Sequence, residues 1–245
     1  MSSNLSRKKL PVRRLLAERY LLIALIGYAA SVLGVRLFLE LTNYPRVEFG
    51  SLHIAHVIWG GLFLFVAALL PLMFANRWAL FWSALLSGIG FGLFIDEIGK
   101  FITQSNDYFY PPAAPLIYAF FLLTVLVFLQ FRKPRQNTTR EDLYHIFSML
   151  EEYLDEDLDE EERNFLIQRL THITQNAQQT TLARLAASLL EFVQSNCLVI
   201  PETPNSFEKT WKQFIRNIDR FFTQQRLWSL LVLGLIWHGV ISILG

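Results

Sequence analysis

Long apolar stretches separated by short polar segments run through the first half of the chain, and one more lies at its end. Each stretch is long enough to cross a hydrocarbon core of about 30 Å as a helix, because an α-helix rises about 1.5 Å per residue. We therefore predict an all-α, polytopic helical membrane protein with about five transmembrane helices, at residues 20–41, 52–74, 78–101, 113–131 and 227–244.

The segment between the fourth and fifth predicted spans is mostly polar but carries apolar residues at helical spacing. This spacing predicts three amphipathic helices. Their predicted apolar stripes are Leu143, Ile146, Phe147, Leu150 and Leu154; Phe165, Ile167, Leu170 and Ile173; and Leu182, Leu185, Leu189, Phe192 and Val193. The chain then divides into a basic N-terminal segment (1–19), a four-helix transmembrane region (20–131), a helical insert (132–226) and a fifth transmembrane helix (227–245).

Basic residues are segregated along the chain, although its net charge is only +1. They precede the first predicted span and follow the second and fourth, whereas the opposite loops hold Arg46 and Lys100 only. An excess of lysine and arginine marks the cytoplasmic side of a membrane. We therefore predict a multi-pass protein of the inner (plasma) membrane, with the N-terminus and the insert in the cytoplasm and the C-terminus outside. The bilayer is the expected partner and nucleic acid is not, while a protein partner of the insert and a homo-oligomer stay open.

The second and third predicted spans form a helical hairpin that turns near Asn76. His56 lies twenty residues before Asn76 and Asp96 twenty residues after it, so the two side chains are expected at the same depth. Residues spaced by three and four share a helix face, and small residues on such a face let two helices approach closely in lipid. We predict that two faces pack together and bring His56 near Asp96: His53, His56 and Gly60 on the second span, and Gly88, Gly92 and Asp96 on the third, followed by Lys100.

Further polar residues fall at a similar depth. Ionisable residues within spans are costly and usually face the bundle interior, so such a cluster is a hypothesis of function. Structural alternatives are ion pairs at helix ends, between Arg36 and Glu40 or between Lys100 and the carboxylates. The residues added to the cluster in this way are Arg36 and Glu40 on the first span, Glu97 beside Asp96, Asn106 and Asp107 in the following loop, and His238 on the fifth span.

Three functions are compatible with these residues. The first is a metal-dependent intramembrane hydrolase, in which zinc or iron is held by imidazole and carboxylate with one position open for water, and a carboxylate acts as general base. The single cysteine, Cys197, excludes a zinc site built from several cysteines. In that hypothesis the metal ligands are His53, His56, Asp96 and His238, and the catalytic carboxylates are Glu97 and Asp96.

The second function is non-enzymatic binding of a ligand or a proton, in a transporter-like or sensory protein. Its predicted ligand contacts are Arg36, Lys100, Asn106 and Asp107. The third function is a membrane anchor for the insert, which would then be an interaction module. No Walker loop, dinucleotide fingerprint or nucleophile elbow assigns an activity.

Two sequence motifs lie around the predicted hairpin: His53-x-x-His56-x-x-Trp59-Gly60-Gly61, and Gly92-Leu93-Phe94-Ile95-Asp96-Glu97-x-Gly99-Lys100-Phe101, followed by Asn106-Asp107-Tyr108-Phe109. These motifs resemble those of a group of uncharacterised bacterial multi-pass membrane proteins. There is also a looser likeness to VanZ-like membrane proteins, which place a polar motif at one helix start, an acidic residue in the next helix and an Asp/Asn-containing loop after it. The resemblance implies a polytopic membrane fold and no particular activity.

Overall fold

Four helices are long and apolar enough to cross a membrane by length and composition, which indicates a membrane protein. The structure is a computed structural model, and it describes residues 11–42, 48–49, 52–53, 56–104, 110–133, 138–154, 160–176 and 181–195. All of these belong to one compact unit, Met1–Leu198. The predicted fifth span, 227–244, and residues 196–226 of the predicted insert lie outside the described residues.

The described elements are eight helices and one short strand pair. The four long apolar helices are α1 (Ala17–Leu41), α2 (His56–Met73), α3 (Arg77–Asp96) and α5 (Ala113–Arg132). The short helix α4 (Ile98–Ile102) follows α3. The predicted insert contains α6 (Thr139–Leu154), α7 (Glu160–Asn176) and α8 (Thr181–Gln194). Strands β1 (Glu48–Phe49) and β2 (Leu52–His53) are antiparallel and lie between α1 and α2.

Helix α3 packs against α2 through glycine. A Cβ placed on Gly60 would lie 2.8 Å from both the Gly90 oxygen and the Phe94 nitrogen, and one on Gly90 would lie 2.7 Å from the Gly60 oxygen. The atoms that face Gly60 bracket Gly92, so the predicted level of the hairpin is right. The contacting glycine is nevertheless Gly90, because the face of α3 that bears Gly92 is turned toward another helix.

That other helix is α1, which runs parallel to α3. A Cβ on Gly88 would meet the backbone of Ala24, and a Cβ on Gly92 would meet the Tyr28 oxygen at 2.9 Å. The prediction that Gly88 and Gly92 pack against the second span is therefore wrong. Two glycine faces on opposite sides of α3 let α1 and α2 approach at once, and this makes α3 the central helix of the three.

Helix α5 completes the packing on the side of α1. The Tyr28 hydroxyl donates a hydrogen bond to the backbone oxygen of Ile117 at 2.8 Å. The Tyr28 ring also lies edge-on to Phe91 and Phe121, with centroids 5.3 and 5.8 Å apart. A buried tyrosine needs a partner for its hydroxyl, and the carbonyl of α5 satisfies that need.

Two helix termini beside the polar cluster differ from the prediction, namely the end of the third predicted span and the start of the second. The third span was predicted as one helix to residue 101, but α3 ends at Asp96, and Glu97 has φ −88° and ψ 9° before α4 begins. The second span was predicted to begin at Leu52. Instead the backbone of Leu52–His53 pairs with Glu48–Phe49, so His53 is not on the helix face of His56 and Gly60.

The three insert helices share one apolar core. The positions of the three helices agree with the prediction, but the predicted stripes agree only in part: Phe147 of α6, Phe165 of α7, and Leu182, Leu185 and Phe192 of α8 are exposed, whereas the small residues Ala183 and Ala186 of α8 are buried. A helix that presents alanine can approach its neighbours more closely than one that presents leucine. The buried members of the core are Leu143, Ile146, Met149, Leu166, Leu170, Ile173, Ala186 and Val193.

The insert also contacts the end of the bundle at which α1 and α3 begin, which is called the first end below. Arg77, the first residue of α3, donates to the Ser148 oxygen at 3.4 Å. The Nε2 atom of His145 lies 3.1 Å from the Arg13 oxygen, and Leu15 packs against the insert core. Helix α6 therefore lies against the end of α3 opposite to Asp96, rather than being tethered by a linker alone.

Candidate functional site

Asp96 is the centre of a polar cluster at the far end of the bundle. Its side chain is fully buried, with 0% exposure, and Oδ1 accepts a hydrogen bond from Arg36 Nε at 2.8 Å. Asp96 lies four residues after Gly92 and so continues the face of α3 that packs on α1. Arg36 lies further along α1 than this level. It reaches Asp96 because long helical side chains point back toward the helix N-terminus.

Glu97 is the second carboxylate and lies at the break between α3 and α4. It is 1% exposed, and its Oε1 lies 2.5 Å from Lys100 Nζ. Its Oε2 accepts a hydrogen bond from the backbone amide of Val57 at 2.9 Å. Val57 is in the first turn of α2, whose first amides have no partner within the helix and carry partial positive charge. Glu97 thus caps α2 from a neighbouring element, which ties the α3–α4 break to the start of α2.

His56 lies between the two carboxylates. Its Nε2 is 3.5 Å from Asp96 Oδ2, and its Nδ1 is 3.5 Å from Glu97 Oε1. The proximity predicted from the distance of each residue to Asn76 is therefore present in the structure. Both ring nitrogens face a carboxylate, and protonation of the ring would make both contacts attractive.

The charges of the cluster are balanced but unevenly placed. Two carboxylates face two permanent cations, Arg36 and Lys100, so the sum is zero while His56 is neutral. The carboxylates are 0% and 1% exposed, whereas the side chains of Arg36, Lys100 and His56 are 41%, 25% and 25% exposed. The negative charge is therefore buried and the positive charge faces outward.

Five of the predicted site residues come together in this cluster: Arg36, His56, Asp96, Glu97 and Lys100. The predicted ion pair of Lys100 with a carboxylate is present, and Arg36 pairs with Asp96.

Of the other predicted site residues, Asn106, Asp107 and His238 lie outside the described residues. His53 is described by its backbone alone, and the same holds for Glu40.

The described residues do not provide a set of ligands for the predicted metal ion. Among the residues that the structure describes, no group of three or more histidine, cysteine, aspartate or glutamate side chains could hold a metal ion. Instead, Asp96 accepts a hydrogen bond from Arg36, and Glu97 accepts hydrogen bonds from Lys100 and the Val57 amide. A zinc or iron site at this place stays a prediction that depends on His53 and His238.

Comparison of the chain with protein-family models, curated proteins and solved structures finds no match. The resemblances noted in the sequence therefore stay predictions.

One group of the site was missed by sequence reasoning, namely the Val57 amide. A backbone donor has no side-chain pattern, and its role here depends on α2 beginning at His56 beside Glu97. The available signal was the Gly50-Ser51 pair between β1 and β2, because two-residue links that begin with glycine are typical of hairpins. A hairpin there predicts that residues 52 and 53 belong to a strand, and that the helix begins after them.

Proposed function

We propose that this chain is a non-enzymatic polytopic membrane protein of the transporter-like or sensory kind, and that its polar cluster binds a proton at His56. The four apolar helices support the membrane assignment. Proton binding at His56 is supported by one observation: each of its two ring nitrogens lies 3.5 Å from a buried carboxylate.

This position makes the charge of the cluster depend on one proton. Chains of aspartate, glutamate and histidine within membrane spans recur in proton relays, and histidine is the side chain that exchanges a proton most readily near neutral pH. Asp96 and Glu97 are each balanced by a permanent cation, so binding a proton at His56 changes the cluster from neutral to positive. A change of one charge at the junction of α1, α2 and α3 can shift how these helices pack, since Glu97 also caps α2.

The hydrolase is the less well supported alternative. A catalytic metal needs ligand atoms free to coordinate, and a general base needs a carboxylate oxygen that can reach water. Both carboxylates are buried and ion-paired, and one of them also caps a helix. These are the contacts of a proton-linked or structural network.

We further propose that the cluster faces the extracytoplasmic side. Arg13 and Arg77 lie at the end of the bundle that contacts the insert, while Asp96 ends α3 at the other. The bias of basic residues toward the first end supports a cytoplasmic location for it. Because α3 has 20 residues, it spans about 30 Å, and the cluster then lies near the outer border of the hydrocarbon core.

The test is a direct titration of His56 in the full chain, reconstituted in lipid nanodiscs with ¹⁵N-labelled histidine. His56→Gln identifies the His56 resonances by their loss, and His172→Gln, in the insert, is the matched control. We expect the His56 ring nitrogens to pass from the neutral to the protonated signature when the sample is acidified. Resonances that keep one signature at every pH at which the protein stays folded would refute the proposal.

The metal content of the same purified protein tests the hydrolase hypothesis. Elemental analysis of the purified protein is expected to show no zinc or iron near one atom per chain. A near-stoichiometric metal that is lost in His56→Ala would overturn the proposal in favour of the metal-dependent enzyme.

A further inference from the structure

In the part of the chain that the structure describes, Arg36 is held by one edge of its guanidinium. Its Nε donates to Asp96, and Asp96 is its polar partner among the described residues. The guanidinium is a rigid planar fork with five N–H donors, of which four belong to the two terminal nitrogens. The bond at Nε therefore fixes the orientation of the fork while the terminal donors extend away from the buried carboxylate. With 41% of the side chain exposed, these donors are accessible from outside the bundle.

Among the described residues of the cluster, the cations face outward and the carboxylates lie beneath them. Lys100 is 25% exposed, whereas its partner Glu97 is 1% exposed and Asp96, the partner of Arg36, is 0% exposed. Coulomb attraction falls with distance and with intervening solvent. An anion that approaches from outside therefore meets the cations before the carboxylates, although the cluster as a whole is neutral.

The depth of Arg36 also determines what kind of anion it meets. Arg36 lies nineteen residues after the start of α1 at Ala17, which is about 28 Å along the helix axis. A hydrocarbon core is about 30 Å thick, so the backbone of Arg36 lies near its outer border, and the guanidinium at the level of Asp96 lies within reach of the adjoining layer of lipid headgroups. The abundant oxyanion of that layer is phosphate.

The geometry points to a phosphate site at this place: we propose that the terminal nitrogens of Arg36 bind two oxygens of a phosphate group, with Lys100 as a neighbouring cation. Paired N–H donors of arginine match two oxygens of a phosphate in a way that a lysine ammonium cannot. The phosphate belongs either to a lipid headgroup or to a water-soluble phosphate compound. This site uses the outward edge of Arg36 and stands independently of proton binding at His56.

The test measures the thermal unfolding of the full chain in a mild uncharged detergent, with inorganic phosphate or with phosphatidylglycerol added. A ligand that binds the folded state raises the unfolding temperature in proportion to the logarithm of its concentration. Stabilisation by both probes identifies a water-soluble phosphate compound as a ligand, and stabilisation by phosphatidylglycerol alone identifies a lipid headgroup. Either result supports the site, and stabilisation by neither probe overturns it.

Arg36→Lys is the decisive variant, because it keeps a cation beside Asp96 while it removes the fork. We expect the apparent affinity for the effective probe to fall on the order of tenfold. Arg132→Lys, near the opposite end of the bundle, is the matched control and should bind as the wild type does. Equal affinity of Arg36→Lys and the wild type would overturn the assignment to Arg36. Since the His56 titration needs no phosphate, failure of one proposal is separable from failure of the other.

Discussion

Replacing Gly60 with alanine places a methyl group against the backbone of α3. The new Cβ would lie 2.8 Å from the Gly90 oxygen and 2.8 Å from the Phe94 nitrogen. An ordinary van der Waals contact begins at 3.4 Å, so the two helices must separate by about 0.6 Å. Backbone atoms cannot rotate away as the end of a flexible side chain can, and the shift is therefore borne by the whole helix pair.

The neighbouring glycine provides a matched control. A Cβ on Gly61 meets nothing within 4 Å. Both substitutions exchange the same residues in the same helix, so the gain in helix propensity, roughly 0.5–1 kcal/mol, cancels in the comparison. What remains is the cost of overpacking, about 1–3 kcal/mol. A separation of this size also reduces the dispersion energy of each contact along the interface by about a quarter to a half.

The assay is reversible unfolding of the full chain in mixed micelles with increasing dodecyl sulfate. Gly60→Ala should lower the free energy of unfolding by about 1–3 kcal/mol relative to Gly61→Ala. Because His56 is one turn from Gly60, the His56 resonances should also move in Gly60→Ala and stay in place in Gly61→Ala. Equal free energies of unfolding for the two variants would refute the close packing of α2 on α3.

Two further predictions follow from the cluster and from the charge pattern. Arg36→Ala should lower the free energy of unfolding by about 1–3 kcal/mol, because it leaves a fully buried carboxylate without its charged donor. The double variant with Asp96→Asn should lose less than the sum of the two single variants, and strict additivity in this cycle would contradict the ion pair. A topology reporter fused after Phe131 should be cytoplasmic and one fused within residues 104–112 extracytoplasmic; the reverse pattern would refute the orientation.

Positions along each helix axis were predictable from the sequence. The rise per residue is constant, so counting from Asn76 places His56 and Asp96 at one level, and the contacts of Gly60 with Gly90 and Phe94 agree with that level. Span length and hydropathy likewise located four apolar helices to within a few residues, except near residues 52–55 and 97–101. These properties are local, because they depend on the helix itself and not on its neighbours.

Rotation about each helix axis was decided by the tertiary structure. Gly88, Gly90 and Gly92 lie on one helix at spacings of two and four, and no local rule says which of them faces α1 and which faces α2. For the same reason the sequence predicted that Leu182 and Leu185 of α8 face the core, whereas the structure buries Ala183 and Ala186. Helix rotation depends on the combined packing of all neighbours, which a single periodic pattern does not contain.

The chemistry of the cluster depends on that rotation. Arg36 reaches Asp96 only because the Gly92 face of α3 turns toward α1, and Glu97 caps Val57 only because α3 ends at Asp96 and α2 begins at His56. The residue types of the cluster were therefore determined by the sequence. Their pairing, with the carboxylates buried and the cations outward, was decided by how three helices pack around their glycines.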